Sequence, residues 1–564
     1  MNTLITYILS LSILATAITS LPAQPWNFVF LHCESTDGRL YSNNLVPTPN
    51  IDKLKQNGVL FASTYANVPV CCPSRSSMLS GKYPHKLPHY HNGILVQGVW
   101  NNYEGLDQNF SGTMQSILQA NGYDIQIEGK TDWTTGSHSE SCMLEALTHN
   151  VEFPYNVSLD FGWAQESMCS SNTTVINGGT GGAKGSAHSD DWNALAKNIQ
   201  YIKNYTKQII NDQLMGKASK PFWIYQGFNI LHPDYVTNEY WYDKIDPNNV
   251  TVPQWPAINE MHPCDLQASM LKGCLPSDAD ASWFNDPARI TKVRRVYYAE
   301  LAEYDAMVGA YMQAIEEANL TSNTIFVLDS DHGEMQMEHR QFYKMVQYEG
   351  SSHVPLLISN PSITAQTVTQ PTQLLDLFPT FLELAGIPIP SDADGYSLVP
   401  FLNGASNDPN RPDYILSQFH GDDIAMSWYM IRQGNYKYIN FGLGNHSDVG
   451  VIPQLFDLST DPNELNNLWT PTNVIGIQME KTLLEAIDYP TVSMNVAQYQ
   501  KDMFTWWINS TPNWKEQIQD PSIVRWATAW AANPTESMQA VLDWLNKPTY
   551  ILPCRNTTVY PNNS

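Results

Sequence analysis

Short apolar runs alternate with amphipathic stretches along most of this chain. Asn27-Phe28-Val29-Phe30-Leu31 is a compact hydrophobic run of the kind that forms a strand buried on both faces. A helical segment, Asn50 to Gln56, follows and is stopped by Gly58. Thr113 to Ala120 reads as helix, Asn121-Gly122 as a turn, and Tyr123 to Ile127 as a strand leading into Gly129-Lys130. Asp190 to Leu214 is long and helical, and Pro221 to Phe228 is apolar and aromatic. Leu301, Tyr304, Val308, Tyr311 and Ile315 recur at helical spacing before another buried strand, Thr324 to Leu328. This alternation predicts an α/β fold, a large and mainly parallel sheet flanked by helices on both faces.

The pattern changes after about Ile415. Trp428 to Arg432 and Tyr436 to Ile439 flank Gln433-Gly434-Asn435 and read as a hairpin, so the remaining chain is expected to hold a smaller antiparallel sheet with helices. The expected division is a signal peptide over residues 1–24, a catalytic domain over 25–415 and a C-terminal α+β subdomain over 416–564. The signal peptide is read from mostly apolar Leu4 to Leu9 and Leu11 to Ala17, followed by Ser20-Leu21-Pro22-Ala23. No later stretch approaches the roughly 20 apolar residues that span a bilayer.

Composition narrows the function classes. With Lys+Arg 30 against Asp+Glu 55 the formal charge is −25, which argues against nucleic acid as a partner. Hydrophobic residues at 43%, with 17 Trp and 29 Tyr, supply a large core and exclude disorder. Charged residues are only 15%, against about 25% in ordinary soluble domains. N-glycans are expected to supply solubility instead: Asn-x-Ser/Thr acceptors occur at Asn109, Asn156, Asn172, Asn204, Asn249, Asn319, Asn445, Asn509, Asn556 and Asn562. Cys264 and Cys274 are placed to close a small disulfide ring, and Cys142 with Cys169 is a weaker pairing.

Chemistry gathers where the strands end, the usual ligand edge of an open parallel sheet. The first strand runs into Glu34 and Asp37, and Thr324 to Leu328 runs into Asp329, Asp331 and His332. Two acidic clusters at one edge repel unless a cation sits between them, and carboxylate oxygens favour Ca²⁺ or Mg²⁺. Either cluster alone is more simply a loop acid capping a helix. In Cys71-Cys72-Pro73-Ser74-Arg75-Ser76-Ser77-Met78-Leu79-Ser80-Gly81, Pro73 suits a first helical turn and Gly81 a helix end. Cys71 then lies at a helix N-terminus, which with Arg75 favours an anion. The residues point to a nucleophile for an anionic substrate, either a low-pKa thiolate or something made from it. A structural zinc through Cys33, Cys71 and Cys72 is the alternative, although an adjacent pair lacks normal ligand spacing.

Cys71-Cys72-Pro73-Ser74-Arg75 followed by Ser80-Gly81-Lys82-Tyr83-Pro84 resembles the signature of the sulfatase family, within the alkaline-phosphatase-like superfamily. Gly122-Tyr123 to Gly129-Lys130 resembles its second signature, and Pro453-Gln454-Leu455-Phe456-Asp457-Leu458 with Asp461-Pro462 its C-terminal subdomain. The block Ser330-Asp331-His332-Gly333-Glu334 to Glu338-His339-Arg340-Gln341-Phe342-Tyr343-Lys344-Met345 is similar to the branch that removes sulfate from the 2-position of glucuronate in glycosaminoglycans, usually in lysosomes.

The resemblance implies that a formylglycine-generating enzyme oxidises Cys71 to Cα-formylglycine in the secretory pathway. It also implies one Ca²⁺ held by Glu34, Asp331, His332 and the oxygen at Cys71, with Asp37 as a further ligand. Arg75 would polarise the nucleophile, and Lys130 and Lys344 would neutralise the sulfate oxygens. His232 would bind sulfate or protonate the leaving alcohol, and His138 would be the base that breaks the intermediate. The family usually has paired Asp where Glu34 and Ser35 stand, and Asn in place of His332. The product would be lysosomal or secreted. A phosphatase or phosphonate hydrolase of the same superfamily, and a glycan-binding pseudo-sulfatase, are the competing expectations.

Overall fold

The computed structural model describes residues 25–91, 94–138, 144, 147, 151, 173–177, 182–272, 286–421, 427–442, 451–520 and 534–550. The expected signal peptide lies outside these residues, as do Cys142, Cys169 and Cys274. Cys264 is disulfide-bonded.

Seven strands form the large sheet: β1 (Asn27–Cys33), β2 (Gly58–Phe61), β3 (Asp124–Gly129), β4 (Phe222–Gly227), β5 (Thr324–Ser330), β6 (Leu356–Ser359) and β7 (Gln366–Val368). Their order is β7-β2-β6-β5-β1-β4-β3. All neighbours are parallel except at β6, which runs against both β5 and β2. The sheet is thus mainly parallel, as expected, and the short strands β2, β6 and β7 are the part of it that the sequence pattern does not announce.

Both faces of the sheet are covered, and β1 shows why its sequence is continuously apolar. Val29, Leu31 and Cys33 enter one apolar cluster, while Phe28 and Phe30 enter the other. Helices α1 (Pro49–Lys55), α4 (Ser189–Leu214) and α5 (Pro287–Glu317) cover the first face. Helices α2 (Cys71–Ser80), α3 (Met114–Ala120) and α6 (Leu377–Leu384) cover the second. The periodic residues Leu301, Tyr304, Val308, Tyr311 and Ile315 all lie buried along α5. Thr113 caps α3 by accepting the Ser116 N–H.

The predicted hairpin forms the middle of a separate four-stranded antiparallel sheet: β8 (Tyr414–His420), β9 (Ser427–Gln433), β10 (Tyr436–Asn440) and β11 (Gln454–Asp457). One face of it continues the first cluster through Ile415, Phe419, Trp428, Met430 and Ile439. An ion-pair chain reinforces the junction: Lys437 Nζ lies 2.7 Å from Glu349 and 2.8 Å from Glu464. Helix α7 (Tyr489–Ser510) adds Tyr499, whose hydroxyl donates to the buried carboxylate of Glu104. No helix among the described residues is long and apolar enough to cross a membrane. Asn109, Asn204, Asn249, Asn319 and Asn509 are exposed, as glycan acceptors must be.

Burial pushes Glu104, Glu300, Glu334 and Glu464 each up to about 7. Such an acid keeps a proton in the fold that the unfolded chain has released above about 4.5. Its contribution is full below that value and is lost as pH rises through about 7. His188 acts in the same sense, since Glu300 overcomes the effect of burial and raises it to about 9. The histidines His85 and His262, lowered by burial to about 4, act mainly below their ordinary value of about 6.5. The unfolding midpoint is therefore expected to fall between pH 6.5 and 9, by on the order of 1 kcal/mol per acid. Thermal melts at constant ionic strength check this, and a midpoint that rises across the window contradicts it.

Candidate active site

Strand register brings the charged groups together. Cys33 of β1 pairs with Ser330 of β5, so Glu34 and Asp331 leave adjacent parallel strands at one level. His32 faces Gly227 of β4, Gly227 faces Gly129 of β3, and Lys130 is the next residue. Gly129 has φ 79°, and a Cβ there would lie 1.9 Å from the Gly227 carbonyl oxygen. Only glycine lets the chain turn Lys130 inward at this point.

Helix α2 enters from the opposite side with Cys71 as its first residue and all ten of its residues buried. Gly81 ends it at φ 67°, where a side chain would also strike the Phe378 ring. Asn102 Oδ1 accepts the Cys72 N–H at 3.1 Å, and Ser74 Oγ donates to the Asp331 carbonyl at 2.6 Å. The helix is thus tied at its first turn to both sides of the site.

Glu34 is the hub. Its carboxylate lies 2.7 Å from Arg75 Nη2, 3.0 Å from Lys130 Nζ and 3.2 Å from Lys344 Nζ. Burial opposes its charge, but Lys130, Lys344 and Arg75 together hold it well below the usual carboxylate range. Arg75 also donates through Nε to Asp331 at 2.9 Å and through Nη1 to the Tyr225 hydroxyl at 3.0 Å. Lys344 Nζ lies 2.7 Å from Cys71 Sγ, whose thiol faces Glu34 Oε1 at 3.2 Å.

Those neighbours act on the cysteine in opposite senses. Burial, then Glu34, pushes the Cys71 thiol up to about 12, although Lys344 and Lys130 pull the other way. Burial raises a thiol, and here it outweighs the helix N-terminus and the two lysines, which argues against a low-pKa thiolate at this position. The zinc alternative is not met either. Cys33 Sγ faces the Ile230 carbonyl and Cys72 Sγ the Glu104 carbonyl, so the three thiols do not converge.

Glu34, Cys71, Asp331 and His332 each offer one donor atom, all within 4.8 Å of one another and all buried. His332 Nδ1 lies 2.9 Å from the Gly333 carbonyl, which can only accept, so Nδ1 carries the hydrogen and Nε2 keeps its lone pair. That lone pair faces Glu34 Oε1 at 3.2 Å and Asp331 Oδ1 at 3.5 Å. Three acceptors converging in this way fit a cation. An oxygen in place of the Cys71 sulfur makes the set one that suits Ca²⁺ or Mg²⁺.

Asp37, expected as a further ligand, is committed elsewhere. Its carboxylate caps the turn Gly38–Tyr41 and pairs with Arg39 at 2.7 Å, and Gln336 donates to it at 3.3 Å. His138 stands outside the cluster, 26% exposed, with Nε2 3.1 Å from Asp132. Asp132 is also 3.3 Å from Lys130 Nζ. Burial works against its charge, but His138, Lys130 and Arg75 hold it well below its ordinary value. His232 Nε2 is 2.8 Å from the Tyr343 hydroxyl. Sequence reasoning assigns no role to Asp132, Tyr225 or Tyr343. Asp132 is legible as an acid just past a strand end, whereas the two tyrosines carry no local signal.

A family profile described as Sulfatase matches residues 26–387, and one described as N-sulphoglucosamine sulphohydrolase, C-terminal, matches residues 337–488. Arylsulfatase K of Gallus gallus is 36% identical over 544 residues, covering 92% of this chain and 93% of the relative. Arylsulfatase K of Xenopus laevis is 36% identical over 543 residues, 92% of each. Among solved structures, the phosphonate monoester hydrolase of Agrobacterium radiobacter shares the fold at TM-score 0.61 and 20% identity, covering 82% of this chain and 95% of that one. With the sulfatase profile matched over residues 26–387 and the relatives matched over nine-tenths of their length, the chain belongs to the sulfatases and is a sulfuric ester hydrolase.

Proposed function

We propose that this enzyme removes sulfate from 2-O-sulfoglucuronate in glycosaminoglycan chains, using a formylglycine made from Cys71 and one Ca²⁺. The observation that carries the proposal is the setting of Cys71: buried, beside Lys344 and Glu34, with its thiol raised to about 12. A thiol so placed is a poor nucleophile, whereas a hydrated aldehyde there supplies one hydroxyl for attack on sulfur and a second for release, and bound calcium supplies positive charge beside them. Glu34, Asp331 and His332 would hold the ion. Glu34 supports an active site because its carboxylate stays ionised and still converges with Asp331 and His332 on one point, so the change from Asp to Glu does not favour a pseudo-sulfatase.

The chain's own groups do the rest. Arg75 is locked by Glu34, Asp331 and Tyr225 and presents a fixed positive field to the first turn of α2. Lys344, against Cys71, and Lys130, against Glu34, would balance charge as it moves onto the sulfate oxygens and the leaving oxygen. His232 lies on the Lys130 and Lys344 side, where burial, then those two ammonium groups, keeps it well below its ordinary pKa. His138, partly exposed and hydrogen-bonded to Asp132, would handle the proton of the second step.

The substrate assignment is supported by the similarity to arylsulfatase K over nearly the whole chain. Export and lysosomal delivery or secretion are supported by the exposed glycan acceptors. Two measurements test the proposal. Mass spectrometry of the Cys71 peptide from protein made in a secretory pathway is expected to show the aldehyde, and wholly unmodified cysteine refutes the chemistry. Disaccharides sulfated at 2-O of glucuronate are expected to turn over faster than those sulfated at 2-O of iduronate or 6-O of hexosamine, and a preference for either of the latter refutes the substrate.

A further inference from the structure

His232 has a defined hydrogen-bonding state. Its Nδ1 faces the carbonyl of Pro233, which can only accept, so Nδ1 carries the hydrogen. Nε2 is then the acceptor, and what it accepts is the Tyr343 hydroxyl at 2.8 Å. In the free enzyme the imidazole is thus held between the Pro233 carbonyl and the Tyr343 hydroxyl.

Tyr343 is held firmly. It sits at φ 75°, a backbone conformation that a tyrosine adopts only when its surroundings impose it. Here the Glu334 carboxylate accepts its N–H, and the Met335 N–H donates to its carbonyl at 2.8 Å. Its ring meets His232 edge-on at 90° and 5.5 Å. The face of the same ring lies 4.2 Å from Lys344 Nζ, within cation–π reach. Lys344 is in turn 2.7 Å from Cys71 Sγ. One side chain, 7% exposed, thus touches both His232 and the Lys344 ammonium that lies against Cys71.

We propose that Tyr343 is a positioning residue of the sulfate-ester site, its hydroxyl holding the ring orientation of His232 and its ring fixing the Lys344 ammonium. Two separable functions follow from two parts of one residue. Removing the hydroxyl frees His232 alone, and removing the ring frees Lys344 as well. The inference rests on the sulfatase chemistry above but not on the choice of saccharide.

The test uses the full-length secreted enzyme and 4-methylumbelliferyl sulfate. Tyr343→Phe is expected to lower kcat/KM about 10-fold, the scale of one hydrogen bond. Tyr343→Leu is expected to lower it about 100-fold, because the ring that steadies the Lys344 ammonium goes with the hydroxyl. In a His232→Ala background, Tyr343→Phe is expected to cost less than about 2-fold, because the hydroxyl acts through the imidazole. The same cycle is read as Kd for the ester in a Cys71→Ala background, which binds without turning over. Multiplicative losses in the cycle, or equal effects of Phe and Leu, overturn the proposal. A general loss of folding would lower the melting midpoint and would not disappear when His232 is absent. If the wild type hydrolyses no sulfate ester, the chemistry of the preceding section fails instead, and the binding cycle still decides the role of Tyr343.

Discussion

Replacing Cys71 with alanine or serine is expected to cut sulfate-ester hydrolysis by ~10⁴-fold or more while moving the unfolding midpoint by no more than a few degrees. The two halves of this expectation come from different atoms. Turnover depends on what occupies the Cys71 position, since among the described residues it is the nucleophilic side chain packed between Lys344, Glu34 and His332. A serine hydroxyl can attack, but it lacks the second hydroxyl that lets sulfate leave. Stability depends instead on ties that bypass the sulfur: Arg75 joins Glu34 to Asp331 directly, and Lys344 reaches Glu34 at 3.2 Å without it. Turnover with a sulfate ester and a melt of the same preparation check both. Activity within about 10-fold of wild type would falsify the nucleophile assignment.

Glu34→Ala is expected to be damaging in both respects. Three cations, Arg75 and Lys344 fully buried and Lys130 nearly so, converge on this carboxylate at 2.7, 3.2 and 3.0 Å, and its removal leaves them facing one another. Breaking a buried pair by deleting one partner costs about 3–5 kcal/mol, and a site with three partners belongs at the upper end of that range. The cation site loses one of its two carboxylates as well. In the wild type, calcium is expected to raise the melting midpoint and a chelator to lower it, because a ligand bound only by the fold stabilises it. Glu34→Gln, which keeps the shape and loses the charge, is expected to abolish that response. A midpoint for Glu34→Ala equal to that of the wild type, or an undiminished calcium response in Glu34→Gln, contradicts the central position given to this residue.

What can be read in the sequence, and what cannot, divides by the range of the interactions. The strands that lead into Glu34 and Asp331 are legible because a short, unbroken apolar run between polar residues has few other folds open to it. Once those strands are parallel and in register, their following residues must meet. Asp37 misleads because its partner is local: Arg39, two residues on, captures the carboxylate before the site can use it. Cys71 misleads differently. Its place at a helix terminus is plain from the sequence, but the depth of burial that reverses the effect on the thiol is set by chain segments far away. Tyr225 and Tyr343 act across separations of 150 and 111 residues, which no local pattern records. The strands β2, β6 and β7 are only three or four residues long, too short for a periodicity to declare itself.

The burial of α2 also orders events in time. Cys71 is 1% exposed, and the whole helix that carries it is enclosed. An enzyme large enough to oxidise that side chain can reach it only while the segment is still unfolded. On the chemistry proposed here, maturation and folding therefore compete for the same stretch of new chain. A molecule that folds first is sealed in its unconverted form, and its fate is decided before it leaves the compartment where it was made.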